Sequence, residues 1–206
     1  MVKILHITDV HGSGKGLEIL RKLAPHVDLI VIAGDVAENP PAFRKFYSEA
    51  CKLGQVLYVL GNNEHPSLEA PGCIKLDGRK VEALGLIFGG LGGSPITPFN
   101  TPNEYRDEEV KEILEALGYV DILVSHAPPY GTGADLSAVG HIGSRSVREY
   151  MEKYKPRAVL SGHVHEASFA GIVDGVLVVN PGMARWGKYA LLEINSSIEY
   201  EIGELR

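Results

Sequence analysis

Five short apolar runs recur along the chain, and each closes on Asp, Asn or His: VKILHITD over 2–9, DLIVIAGD over 28–35, QVLYVLGN over 55–62, DILVSH over 121–126 and RAVLSGH over 157–163. Runs of this length, rich in aliphatic residues and bounded by turn formers, predict buried strands. Between them lie stretches with helical period at 16–24, 42–54, 108–118 and 144–154. Leu17, Leu20 and Leu23 mark one apolar helix face, and Gly54 and Gly118 stand where C-terminal caps are expected. Strand alternating with helix predicts right-handed crossovers in parallel or mixed sheets. Segments 73–92, 167–180 and 188–204 read instead as hairpin strands, with turn signals at Asp77-Gly78, Asp174-Gly175 and Asn195-Ser196. A two-sheet sandwich flanked by helices satisfies both patterns.

Composition narrows the picture. With 206 residues, 45% hydrophobic and 22% charged, the chain is expected to form a single globular domain over 1–206. Its formal net charge of -6, without a basic run, argues against nucleic acid as a partner. His6, Asp9 and His11 interrupt the N-terminal apolar run, and no 18 consecutive apolar residues occur anywhere, so a cytoplasmic protein with no membrane partner is expected. Cys51 and Cys73 stand outside any CxxC pair, which suits a reducing compartment and reads as two small core residues.

The strand ends carry the candidate chemistry. In open α/β sheets ligands bind beyond the carboxyl ends of the strands. Here those ends bear Asp9 and His11, Asp35, Asn62, His126, and His163 with His165. Singly, each has an ordinary reading: a strand-end turn former for Asp9 and Asp35, a turn amide for Asn62, a satisfied core histidine for His126. Together they are hard to explain that way, because buried polar groups left unpaired cost about 1–3 kcal/mol each. Carboxylate, imidazole and amide oxygen suit borderline divalent ions: manganese, iron, zinc or nickel. The long irregular segment 127–143 follows His126 directly and is expected to form a wall or lid of the site.

The motifs DVH at 9–11, GD at 34–35, GNNE at 61–64, SH at 125–126 and GHVH at 162–165 resemble, in order and spacing, the five-part signature of the calcineurin-like metallophosphoesterases. Within that superfamily, HAPP at 126–129, KP at 155–156 and NPG at 180–182 look most like the small stand-alone phosphodiesterases. The resemblance implies a four-layer α/β/β/α sandwich of two mixed sheets and a hydrolase with a dinuclear metal centre that activates water for in-line attack on phosphorus. By position it implies that Asp9, His11 and His165 hold one metal, that Asn62, His126 and His163 hold the second, and that Asp35 bridges them.

One position departs from the pattern. The family places a His after the metal-binding Asn, to stabilise the phosphoryl group or protonate the leaving oxygen, oriented by the acid that follows. This chain keeps the acid, Glu64, but has Asn63 in the His position. An amide donates a hydrogen bond but is no proton donor at neutral pH. His65 is a candidate replacement, or else faces solvent or caps the turn before Pro66. His141 and Arg145, near a helix start, are candidates for phosphate contact, or else a solvated loop end. His6 is expected in the core and His26 at the surface. A small phosphoester is the expected substrate. The alternative is a scaffold of the same fold that binds partner proteins, and a DNA nuclease is disfavoured by the acidic charge. The oligomeric state, homo-oligomer included, stays open.

Overall fold

The computed structural model describes residues 1–206. Two six-stranded mixed sheets lie face to face between two pairs of helices. In the first sheet the strands run in the order 198–204, 188–194, 2–7, 29–32, 56–58, 74–75; in the second, 169–173, 176–180, 158–160, 122–125, 86–91, 80–83. The strands at 2–7, 29–32, 56–58 and 74–75 are parallel, as are those at 86–91, 122–125, 158–160 and 176–180. Antiparallel strands extend the edges of both sheets.

Three apolar layers hold the sandwich together, and strand alternation accounts for them. Ile4, Val31, Leu57 and Val59 of the first sheet meet Phe88, Val124, Leu160 and Val179 of the second. On the outer face of the first sheet, Leu5, Ile7, Ile30 and Ile32 pack against Ile19 and Leu20 of the helix at 14–23 and Phe43 and Tyr47 of the helix at 40–53. Leu123, Val159 and Val178 likewise cover Val110 and Leu114 of the helix at 107–117 and Val147 and Met151 of the helix at 145–154. Each helix starts on a polar signal. Ser13, Asn39 and Ser144 accept from the backbone N–H groups of Lys15, Ala42 and Val147, and Glu109 accepts from the N–H of Arg106.

Two expectations are corrected. The Asp77-Gly78 pair makes no hairpin turn: the 80–83 and 86–91 strands are joined by Leu84-Gly85, both at positive φ. The Asp77 carboxylate instead accepts from Leu60 N–H at 3.3 Å. Cys51 and Cys73 are not free core thiols but a disulfide, with Cα atoms 5.7 Å apart, joining the end of the 40–53 helix to the segment before the 74–75 edge strand. Both are only half-buried, and the pairing removes free thiols as an argument for a reducing compartment. His6 is fully buried and His26 exposed, as read from the sequence. No helix is long and apolar enough to cross a membrane.

Candidate metal centre

The loops leaving five parallel strands converge on one edge of the sandwich. Backbone hydrogen bonds tie them to one another: Asp9 N–H to Gly34, His11 N–H to Asp35, and Arg185 N–H to Asp9. The backbone is strained there, since Asp9, His11, Asp35 and His163 are four of the eight non-glycine residues at positive φ. The loops also pass too close for side chains. A Cβ at Gly61 would overlap Asp35 Oδ1, and one at Gly162 would overlap the Thr8 hydroxyl.

Asp9, His11, Asp35 and His165 each offer one donor atom, all within 4.8 Å of one another. The two Nε2 atoms of His11 and His165 are 3.2 Å apart, and His165 Nε2 lies 3.3 Å from Asp9 Oδ1. Thr8 and the His163 N–H donate to Asp9 Oδ2, whereas Asp9 Oδ1 is buried with no hydrogen-bond partner. Burial works to raise the Asp9 carboxyl, but the imidazoles of His11 and His165 overcome it and hold the group well below the ordinary carboxylate range. Burial likewise opposes protonation of His11, and the carboxylates of Asp9 and Asp35 outweigh it and raise that imidazole.

A second group adjoins the first. His126 Nε2 lies 2.9 Å from Asn62 Oδ1, and His163 Nδ1 lies 3.0 Å from the same atom. The orientations follow from the partners. His126 Nδ1 is 2.6 Å from the Ala33 carbonyl and therefore carries the proton, leaving a lone pair on Nε2. Thr101 donates its hydroxyl proton to Glu104 at 2.6 Å, so at 3.0 Å it accepts from Asn62 Nδ2 and turns Asn62 Oδ1 inward. Two lone pairs thus face each other across 2.9 Å. Burial above all lowers His163 to about 4, so that ring is a poor source of a proton there. A cation between them removes the repulsion, and the orphaned Asp9 oxygen calls for one in the first group. The residues present fit divalent metal.

Asp35 joins the groups: its Oδ2 is 3.7 Å from His11 Nε2 and 3.6 Å from His126 Nε2. Both of its oxygens also accept from Asn63, from the backbone N–H at 3.0 Å and from the side-chain amide at 2.6 Å.

The remaining sequence candidates fall elsewhere. Glu64 is fully buried and orients no side chain at position 63. It accepts from the N–H groups of Val36, Ala37 and Gly61 and so clamps the two ligand loops. Burial, then the neighbouring Asp35 charge, pushes its carboxyl up to about 8 against the pull of those donors. His65 is exposed, bonds to Ser67 Oγ at 2.8 Å and caps its own turn. His141 turns to Asp135 at 2.7 Å, and the Arg145 guanidinium stacks 4.2 Å over the Tyr130 ring. Ser144 caps the start of the helix that carries Arg145, accepting from the Val147 N–H.

Two clefts flank the centre, and His165 lines both. One of about 470 Å³ runs past His11, Glu38, Arg185 and Trp186. The other, of about 860 Å³, runs past Asn62, Asn63 and His163 between the 95–101 loop and Val139 and Ile142 of the long 127–143 segment. The 127–143 segment thus forms a wall, as expected from its length and place after His126, whereas the 95–101 wall was not anticipated, because exposed apolar residues in an irregular loop leave no periodic signal.

A calcineurin-like phosphoesterase family model matches residues 2–167, which takes in all seven clustered side chains. The chain belongs to that family. Membership supports a hydrolase of phosphoesters in general, and the clustered Asp and His side chains suit divalent metal. The strands at 169–204, beyond the match, complete both sheets. The chain is 35% identical over 194 residues to an uncharacterized protein of Methanocaldococcus jannaschii, covering 87% of this chain and 88% of the other. Its fold is similar to that of a Thermus thermophilus crystal structure, TT1561, at TM-score 0.79 and 20% identity over 100% and 99% of the two chains. It is also similar to a dimetal phosphatase from Danio rerio, at TM-score 0.61 and 12% identity over 98% and 95%. At those identities the likeness is one of fold alone.

Proposed function

We propose that this calcineurin-like phosphoesterase is a phosphodiesterase for a small substrate, dependent on two divalent ions, with manganese, iron, zinc and nickel all suited to the donors. The observation that carries the reading is the Asp35 carboxylate, whose Oδ2 stands 3.7 Å and 3.6 Å from one imidazole of each donor group. Asp9, His11 and His165 would hold one ion and Asn62, His126 and His163 the other, with Asp35 common to both. Bound there, such a pair polarises the phosphoryl oxygens and activates water.

The chain's own side chains set the rest. Asn63 is fixed as a donor to Asp35, and an amide carries no proton to give to a leaving oxygen at neutral pH. Catalysis therefore rests on electrostatic stabilisation of the phosphoryl group rather than on general acid help. A diester is favoured over a monoester by charge and space. Apart from Asp35, which the ions would take up, the larger cleft is lined by the Glu166 carboxylate and by no Lys or Arg, which suits the single charge of a diester. Two clefts meeting at His165 also give each ester substituent a place.

The exposed Ile96, Phe99 and Val139 favour a second reading, a scaffold that binds partner proteins. Their position on a cleft open to the donor groups supports the enzyme instead. The test is hydrolysis of matched aryl monoesters, aryl diesters and pyrophosphates by manganese-loaded protein. Diester turnover at least tenfold above monoester turnover is the expected result. A monoester preference overturns the diesterase assignment, and no hydrolysis with any of the four metals overturns the enzyme and leaves the scaffold.

A further inference from the structure

The larger cleft has walls of unusual character for the mouth of a metal centre. Phe99 is 83% exposed, Ile96 63% and Val139 88%, so these side chains contribute little to the folded core. Nor are they carried on loose chain. Glu104 accepts from the N–H groups of Thr97 and Thr101 and from both hydroxyls, fixing the loop that presents Ile96 and Phe99. Across the cleft the fully buried Asp135 accepts from the N–H groups of Gly131, Thr132 and Gly143. It thereby anchors the small hairpin of Leu136–Ser137 and Gly140–His141, whose tip is Val139.

We infer that this cleft receives one ester substituent of the substrate and selects an uncharged apolar group of ring size or larger, with Ile96, Phe99 and Val139 recognising it. The inference rests on the reading of the donor groups as a hydrolytic site: Asn62, Asn63 and His163 line the cleft, so a phosphoryl group held by the donor groups would lie at its inner end. The volume of about 860 Å³ admits a bicyclic ring. The charges disfavour the alternatives: with Glu166 on the lining and no Lys or Arg, an anionic substituent such as a polyphosphate tail finds no cationic side chain along these walls. An apolar ring that hides roughly 60 Å² of its surface against these walls gains about tenfold in affinity.

The experiment compares binding of naphthylphosphonate and methylphosphonate to the manganese-loaded protein by calorimetry, with a sulfonated naphthylphosphonate as the charged control. The naphthyl compound should bind about tenfold more tightly than the methyl compound, and the sulfonate should remove that advantage. The ratio should fall at least threefold in Phe99→Ser and, on the opposite wall, in Val139→Ser. Both positions are exposed, so neither change threatens the fold. Equal affinities in the parent protein, or a ratio unmoved in both variants, overturn the inference. Hydrolysis of naphthyl esters without that ratio overturns it too and leaves the hydrolase standing. The ratio without hydrolysis of any ester overturns the hydrolase, and with it the assignment of the cleft to a substrate.

Discussion

The Asn63 amide nitrogen donates to Asp35 Oδ2 at 2.6 Å, while the Asn63 backbone N–H donates to Oδ1 of the same carboxylate at 3.0 Å. A residue at the position where the resemblance implies an imidazole thus acts on the carboxylate that lies between the two donor groups. It orients the carboxylate, and it leaves the leaving group without a proton donor from this position.

Leaving groups must then depart largely unprotonated. Esters of acidic phenols should be hydrolysed much faster than alkyl esters of similar size, and Asn63→His should raise alkyl turnover at least tenfold, since general acid catalysis typically contributes about 10²–10⁴-fold. His65→Ala should change alkyl turnover less than twofold, because that ring is exposed and bonded to Ser67. A sharp loss on His65→Ala with no gain from Asn63→His would show that His65 is the displaced acid.

Metal should stabilise the fold, because Asp9 Oδ1 is unpartnered and the Asn62 and His126 acceptors face each other without it. Ligand at a hundredfold excess over its Kd contributes about 2.7 kcal/mol, which for a chain of this size raises Tm by about 5–10 °C. Manganese added to chelator-stripped protein should produce that shift. Asp35→Asn should bind at most one ion where Asp9→Asn keeps one in the second group. Two ions retained by Asp35→Asn would exclude a shared carboxylate, and an unmoved melting curve would exclude the centre itself.

The donor groups were legible in the sequence because each side chain stands within five residues of the end of a buried parallel strand, where apolar periodicity fixes the strand and the topology fixes the edge. The layers were legible for the same reason. What stayed hidden depends on partners distant in sequence. Glu64 reads as an acid beside Asn63, yet its oxygens are taken by the N–H groups of Val36, Ala37 and Gly61. The Cys51–Cys73 pairing joins a helix end to an edge segment, and no motif spacing announces it. Leu84, at positive φ in the turn before Gly85, is no turn former by type, so Asp77-Gly78 carried the stronger but misplaced signal.

His6 supplies a pH dependence separate from catalysis. Its Nε2 lies 2.9 Å from the Ser161 carbonyl in a fully buried setting, and burial lowers the ring from 6.5 to about 4 despite the two carbonyls that favour its charged form. The folded state therefore resists protonation that the unfolded chain accepts below 6.5. The stabilisation is complete above that pH and is lost as pH falls toward the folded value of about 4. Between pH 7 and pH 5 this amounts to about 2 kcal/mol. Urea unfolding of chelator-treated protein should show the loss, and His6→Gln should diminish it while His163, also lowered to about 4, keeps its share. An identical pH slope in parent and variant would mean that His6 titrates normally.

Thr101 should govern metal affinity without touching metal. Its hydroxyl donates a hydrogen bond to Glu104 at 2.6 Å and accepts one from Asn62 Nδ2 at 3.0 Å, and this chain of bonds points Asn62 Oδ1 at His126 and His163. Glu104 suits the role because, although burial raises its carboxyl, hydrogen bonds from Thr101 and Thr97 outweigh it and hold the group at about 2, ionised at any working pH. Thr101→Val removes the acceptor while keeping the shape, so the Asn62 amide is free to turn its nitrogen inward, where it cannot bind a cation. Loss of such an outer partner typically costs 10–100-fold in metal affinity. A manganese titration by calorimetry should therefore show the weaker of two binding steps displaced by that factor in Thr101→Val and restored in Thr101→Ser, with the other step unmoved. Equal affinities in the Val and Ser variants would mean that Asn62 is held by its own loop and that the contact with Thr101 is incidental.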